Sequence, residues 1–265
     1  MSRTTKARQA RRRLVRRIAL GAIVLAVAAL VGLAWRWQAT LPLSGVAVGG
    51  TVWADSAEVV RLAAVEADTT VLLFDLDPAL VADRVRRAPW VRDARVRRLP
   101  TGTLSIRVEE REPVALVLSA DGRPSHFLDA EGYGLPLRPG AVYDVPLLRG
   151  AVPAYHPTRP VESAALLELL AALAEADATT DALVSEVVLG AGGDALLRTS
   201  PGGGHPSLPV RLGTGGYAEK LARLEAFWTQ AVLSRPSTRF RTVDLRFDGQ
   251  VVTHETTPEA APTES

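Results

Sequence analysis

Residues Ile18 to Trp35, IALGAIVLAVAALVGLAW, form an unbroken run of eighteen positions without a charged side chain. Wound as an α-helix, such a run satisfies its own backbone N–H and C=O groups where water is absent. At about 1.5 Å per residue it spans roughly 27 Å, close to the ~30 Å hydrocarbon core. Trp35 and Trp37 stand at its far end, where indole rings favour the headgroup region. Arg3, Lys6, Arg8, Arg11, Arg12, Arg13, Arg16 and Arg17 precede it. Positive charge on that side places the N-terminus in the cytoplasm. A cleaved signal peptide is the competing reading, but its apolar region usually runs about 7–15 residues and ends at a small-x-small site. Here Trp35-Arg36-Trp37 comes next, so a retained anchor is expected. Gly21 and Gly32 are too far apart to make a GxxxG pairing motif.

The charge balance divides at the same place. The chain has 31 lysines and arginines, eight of them in the first seventeen positions, which hold no acid. The remainder then carries 23 basic side chains against 29 acids, a formal charge of −6. The protein is a mildly acidic body with a basic tail, which removes the main support for nucleic-acid binding. The basic residues of the tail serve as topology determinants and anionic-lipid contacts. The chain has 265 residues and no cysteine. Its body beyond the anchor must therefore be held by an apolar core, without disulfides, Cys–zinc sites or a thiol nucleophile.

The spacing predicts an α+β chain. Residues 1–17 are a disordered basic cytoplasmic tail and 18–37 a transmembrane helix. Residues 41–112 read as β-α-α-β-β. After the anchor, the run from Leu43 to Val52, LSGVAVGGTV, reads as a short strand running into glycines. Asp55, with Glu58 three residues on, opens a helix through Val59, Leu62 and Ala63. Asp77-Pro78 opens a second, with Leu80, Val81, Val85 and Ala88 as its buried stripe. Two strands then flank the turn Leu99-Pro100-Thr101-Gly102, with Leu104, Ile106 and Val108 on one face and Thr103, Ser105, Arg107 and Glu109 on the other. From Pro113 to residue 254 the pattern changes to short strands and turns with two helices, about Val161–Ala176 and Tyr217–Leu233. It closes with a hairpin, Phe240–Phe247 and Val251–His254, around Asp248-Gly249. Residues 255–265, ETTPEAAPTES, read as a disordered tail.

The order Pro89-Trp90-Val91, then Arg97-Arg98-Leu99-Pro100, then Val108-Glu109-Glu110-Arg111-Glu112-Pro113 resembles the POTRA domain of the FtsQ/DivIB cell-division family. Leu212-Gly213, opening the helix that contains Lys220-Leu221, and the strand Val243-Asp244-Leu245-Arg246 resemble the same family's β-domain. The resemblance covers about residues 1–254. It implies a single-pass inner (plasma) membrane protein of the divisome, with its folded domains periplasmic or otherwise extracytoplasmic at the septum. Such a protein is a scaffold that links early and late division proteins and helps control septal peptidoglycan synthesis. Its implied partners are FtsB-like and FtsL-like bitopic coiled-coil proteins, other divisome proteins and membrane lipid. No nucleic acid and no cofactor is implied. By the same resemblance Arg246, Phe247, Gly249, Val251, Val252 and Thr253 form the partner-binding surface, Phe247 as aromatic anchor and Arg246 as the charge that meets an acid. The means would be strand addition at an exposed edge, where a proline at Val252 would remove a free backbone donor and abolish partner binding while the fold survives. Arg92, Arg95 and Arg97 form a candidate docking face on the POTRA domain, with a plain solvated strand face as the alternative.

A different class of function, a POTRA-type transport or assembly chaperone, would show tandem POTRA domains or a barrel. An enzyme finds no constellation. His126, His156, His205 and His254 lack metal spacing, Glu109 and Glu110 point to opposite faces of one strand, and Ser119 and Ser125 have no G-x-S-x-G setting. No catalytic or metal-binding residue is expected.

Overall fold

The computed structural model describes residues 3–65, 70–140, 142–202, 204–235 and 238–256, with only the backbone of 3–15 and 256. The first helix, α1 (Arg3–Ala39), carries the apolar run and continues back through the basic segment. Helical backbone replaces the disorder expected of residues 3–17. Arg, Lys, Gln and Ala are good helix formers, and extending an existing helix avoids the cost of a new nucleus. From Arg16 to Ala39 the helix is long and apolar enough to cross a membrane, and none of it is buried.

The chain divides into two compact units, residues 1–86 with 93–109, and 87–92 with 110–265. In the first, α2 (Ser56–Ala63) and α3 (Pro78–Val85) start where the capping residues predict. Asp55 accepts the Ala57 N–H and Asp77 the Ala79 N–H, each at 2.9 Å. Val59 and Ala63 on α2, and Val81, Ala82 and Val85 on α3, are buried. Leu80 is not in that stripe, being 49% exposed. It stands about 100° round the helix from Val81 and about 200° from Ala82, on the far side of the face that packs. The sheet has the order β1-β3-β2, built from β1 (Gly45–Gly49), β2 (Val91–Arg98) and β3 (Thr103–Glu110). β1 runs parallel to β3, from Gly45 beside Thr103 to Gly49 beside Arg107, which the two intervening helices make possible. Leu104, Ile106 and Val108 are buried on one face of β3, as the alternation predicts. The β-α-α-β-β arrangement is therefore present.

The second unit is built on a nine-stranded mixed sheet. Its strands are β4 (Pro113–Leu118), β5 (Pro124–Asp129), β6 (Gly134–Pro136), β7 (Leu147–Gly150), β8 (Val184–Leu189), β9 (Asp194–Thr199), β10 (Pro209–Thr214), β11 (Arg239–Asp244) and β12 (Val252–Thr256). Their spatial order is β12-β11-β10-β9-β8-β7-β4-β5-β6. Helices α4 (Ala164–Ala174), α5 (Ala178–Leu183) and α6 (Tyr217–Phe227) supply the other layer. Leu166, Leu169, Leu170 and Leu173 of α4 join Leu221, Leu224 and Trp228 in one core with the apolar face of the sheet. The helix expected to run through Leu233 widens at Trp228 into a π-helical turn ending at Val232. Strand β12 extends to Thr256, past the expected boundary at 254, and the rest of the polar tail lies outside the described residues.

Two further parts of this unit explain residues of the sequence signatures. The Trp90 indole is buried, stacks on Tyr143 at 5.5 Å between centroids and meets Phe127 edge-on at 6.3 Å. The Arg111 guanidinium is buried against the Asp129 carboxylate at 2.6 Å, reaches Glu131 at 3.0 Å and lies over the Tyr133 ring at 3.7 Å.

Candidate protein-docking edge

Strand β12 forms one edge of the nine-stranded sheet, with β11 as its neighbour. The two are antiparallel, with Val252 opposite Asp244, Thr253 opposite Val243 and His254 opposite Thr242. The far side of β11 determines which backbone groups of β12 are free. There β11 runs parallel to β10, and the Leu245 N–H donates to the Arg211 carbonyl at 2.8 Å. Backbone groups alternate sides along a strand, so Val243 and Leu245 face β10 while Thr242 and Asp244 face β12. Val252 and His254 therefore spend their N–H and C=O on β11. Thr253 turns both outward, to the open edge.

The connection from β11 to β12 carries the side chains of the site. Phe247 is 51% exposed. Arg246 directs Nε (2.9 and 3.1 Å) and Nη2 (2.6 Å) at the Asp244 carboxylate, which also accepts the Arg246 backbone N–H. These hydrogen bonds hold the Asp244 carboxyl below its ordinary range and raise the guanidinium above its own. The charge expected to meet an acid on a partner is thus already matched by a neighbour, and Arg246 is pinned in place with half its side chain exposed. Gly213 makes room for it. A Cβ there would lie 2.8 Å from Arg246 Cγ, and the backbone φ of +67° disfavours any other residue. Gly249 sits at φ +67° in the turn, and the half-buried Val251 packs against the core.

Arg223, on α6, was not among the expected site residues. It donates from Nη1 to the carbonyls of Phe247 (2.8 Å) and Gln250 (3.3 Å), and from Nη2 to that of Leu245 (3.5 Å). The turn bearing Phe247 and Gly249 is fastened to a core helix by this one side chain. Its neighbour Lys220 does the same at the helix entrance, donating to Thr214 (3.0 Å) and Gly215 (2.6 Å). The signal was the Lys-Leu-Ala-Arg order of a core-facing helix, which places two cations one turn apart on the same helix. Arg223→Ala is expected to cost about 1.5–3 kcal/mol, the range for hydrogen bonds to a charged group. In a urea-unfolding and partner-recovery assay it should weaken recovery while leaving a folded chain.

The second candidate face does not assemble as expected. Arg95 and Arg97 are exposed on one side of β2, beside Ser105 and Arg107, with Arg95 3.7 Å from Asp93. Arg92 is three residues from Arg95, hence on the opposite side of the strand, and it pairs with Glu131 at 2.8 Å.

Comparison with known proteins bears on both regions. Residues 41–111 match the model of the FtsQ-type POTRA domain, and residues 112–254 that of the FtsQ/DivIB C-terminal related domain. The cell division protein FtsQ of Rhodothermus marinus is 49% identical over 245 residues, 92% of this chain and 88% of that protein. The chain belongs to the FtsQ/DivIB family of cell-division proteins. The FtsQ of Salinibacter ruber is 41% identical over 237 residues, covering 88% of this chain and 90% of its own length. That of Geotalea daltonii is 31% identical over 186 residues, 68% and 64% of the two chains. The family's POTRA and C-terminal models meet between Arg111 and Glu112, so the buried Arg111 closes the first match and its partner Asp129 lies in the second. Every residue of the candidate edge, from Gly213 and Arg223 to Thr253, falls within the C-terminal match.

Proposed function

We propose that this chain is a bitopic divisome scaffold, anchored in the inner membrane by α1 with its N-terminus in the cytoplasm and its two folded units outside. It binds proteins and catalyses no reaction. At the septum it links early and late division proteins and helps control septal peptidoglycan synthesis. Its partners at the C-terminal edge are FtsB-like and FtsL-like single-span coiled-coil proteins, bound by adding a strand to β12. The observation that carries this reading is the edge position of β12, with Thr253 presenting a donor and an acceptor that no strand among the described residues uses, beside the exposed Phe247. Arg246, Gly249, Val251 and Val252 shape the same surface. Arg95 and Arg97 make a second, basic docking face on the POTRA domain.

The experiment is mild cross-linking in dividing cells, detergent extraction and mass spectrometry of the proteins recovered with the full chain. Small single-span coiled-coil proteins, recovered with wild type and lost with Phe247→Asp, are the expected result. A diffuse set of secreted or outer-membrane clients, insensitive to Phe247, would replace this reading with a transport chaperone.

A further inference from the structure

The first unit is tied to the exit of α1 within two residues of the helix end. Helical winding continues past Ala39, with the Thr40 N–H donating to Trp37 and the Leu41 N–H to Gln38, each at 3.2 Å. Immediately afterwards the Leu73 N–H donates to the Leu41 carbonyl (2.9 Å) and the Leu43 N–H to that of Val71 (2.8 Å). Segment 71–73 is thereby fixed beside the point where the chain leaves the apolar helix. Trp35 is the last residue of the uncharged run, and four residues of helix beyond it rise about 6 Å. That is roughly the thickness of one headgroup layer. The turn after segment 71–73 consequently lies at the membrane surface.

The part of the fold placed there is amphipathic. A cleft of about 390 Å³ is lined by Gln38 and Leu41 from the helix exit, Phe74 from the turn, and Arg97, Leu99 and Pro100 from the β2–β3 hairpin. Phe74 is 40% and Leu99 37% exposed, although both belong to a unit with ample core. Phe74 is braced by Arg98, whose guanidinium lies 4.9 Å from its ring centroid and donates to the Phe74 carbonyl at 3.2 Å and the Leu76 carbonyl at 2.5 Å. Arg97 is exposed at the cleft wall, with no carboxylate partner among the described residues. The nearby acids, Asp75 and Asp77, do not line the cleft, and Asp77 is occupied in capping α3.

We infer that this cleft seats a phospholipid headgroup of the leaflet from which α1 emerges, with the phosphate on Arg97 and with Phe74 and Leu99 reaching the acyl boundary. Two exposed apolar side chains, a cation with no carboxylate partner among the described residues and a direct tether to the membrane span are the requirements of an interfacial contact. The contact fixes the unit's height and tilt on the membrane. It rests on the reading of α1 as a membrane span.

The chain has no cysteine, so one can be introduced and labelled alone. Full-length Leu99→Cys, carrying an environment-sensitive fluorophore, is reconstituted in vesicles of phosphatidylethanolamine and phosphatidylglycerol containing nitroxide-labelled lipid. Arg107→Cys is the reference, because Leu99 lies level with Thr103 and Arg107 is four residues further along β3, about 13 Å away. The label at residue 99 should emit to the blue and be quenched several-fold more than the label at 107. Adding Arg97→Glu should cut that quenching at least two-fold. Equal emission and quenching at the two positions, in protein that resists alkaline extraction from the vesicles, would overturn the lipid contact and leave the span intact. Release by alkaline extraction would overturn both.

Discussion

Arg111→Ala should destabilise the protein by about 3–5 kcal/mol, the cost of leaving a buried charge without its partner. The Asp129 carboxylate is 6% exposed, and Arg111, itself 9% exposed, is the cation that meets it at 2.6 Å. Asp129 also accepts the N–H groups of Glu131 (3.0 Å) and Tyr133 (2.7 Å), so the turn between β5 and β6 depends on that carboxylate staying in place. Removing the guanidinium further strips the Tyr133 ring of its covering cation. Arg111→Lys keeps the charge but loses the planar fork and the stacking, so an intermediate loss is expected. Arg92→Ala is the internal comparison. Its pair with Glu131 has side chains 55% and 45% exposed, and its loss should cost less than about 1 kcal/mol. Urea unfolding of the three variants in detergent gives the order. An Arg111→Ala unfolding free energy within about 1 kcal/mol of that of Arg92→Ala would mean that the buried pair contributes no more than a surface one.

Thr253→Pro should abolish partner recovery while the sheet survives. The Thr253 N–H faces the open edge, so a proline there removes a donor offered to an incoming strand and none used by β11. The loss of one ladder bond, with the ring obstructing the partner's approach, should weaken binding at least tenfold. Val252→Pro is expected to behave differently. Val252 is paired with Asp244 inside the hairpin, so its proline costs the β11–β12 ladder itself and should lower stability as well as binding. The two adjacent variants thus separate edge from ladder. Unchanged recovery with Thr253→Pro would exclude strand addition at β12, while unfolding of this variant but not of Val252→Pro would reverse the register argument.

The local pattern of the chain was largely legible. Alternation on β3, the caps Asp55 and Asp77, and the run from Ile18 to Trp35 are each dictated within a few residues, by side-chain period, by backbone donors at helix starts and by charge. Gly134–Pro136 and Ala178–Leu183 were missed, because three residues are too few to show a strand period and six too few for a helical stripe. The single nine-stranded sheet could not be read locally either. Its parallel pairings β4 with β7, β7 with β8 and β10 with β11 join distant segments that share no turn. The placement of Val252 failed for the same reason, since which way its N–H points is set by Arg211 on β10. Arg246 looked like a free charge because a strand sequence shows Asp244 two residues away without showing that both bend to meet. Arg92 was grouped with Arg95 by composition, where a count of strand period separates them.

The measurement closest to the central claim is amide hydrogen exchange of the full chain in detergent, alone and with the single-span protein that the proposed function expects to be recovered with it. Strand addition predicts that the Thr253 amide exchanges rapidly in the free chain and becomes protected in the complex. The Val252 and His254 amides, already bonded to β11, should be slow in both. Binding with no new protection at Thr253, and with protection gained only elsewhere, would contradict the docking edge.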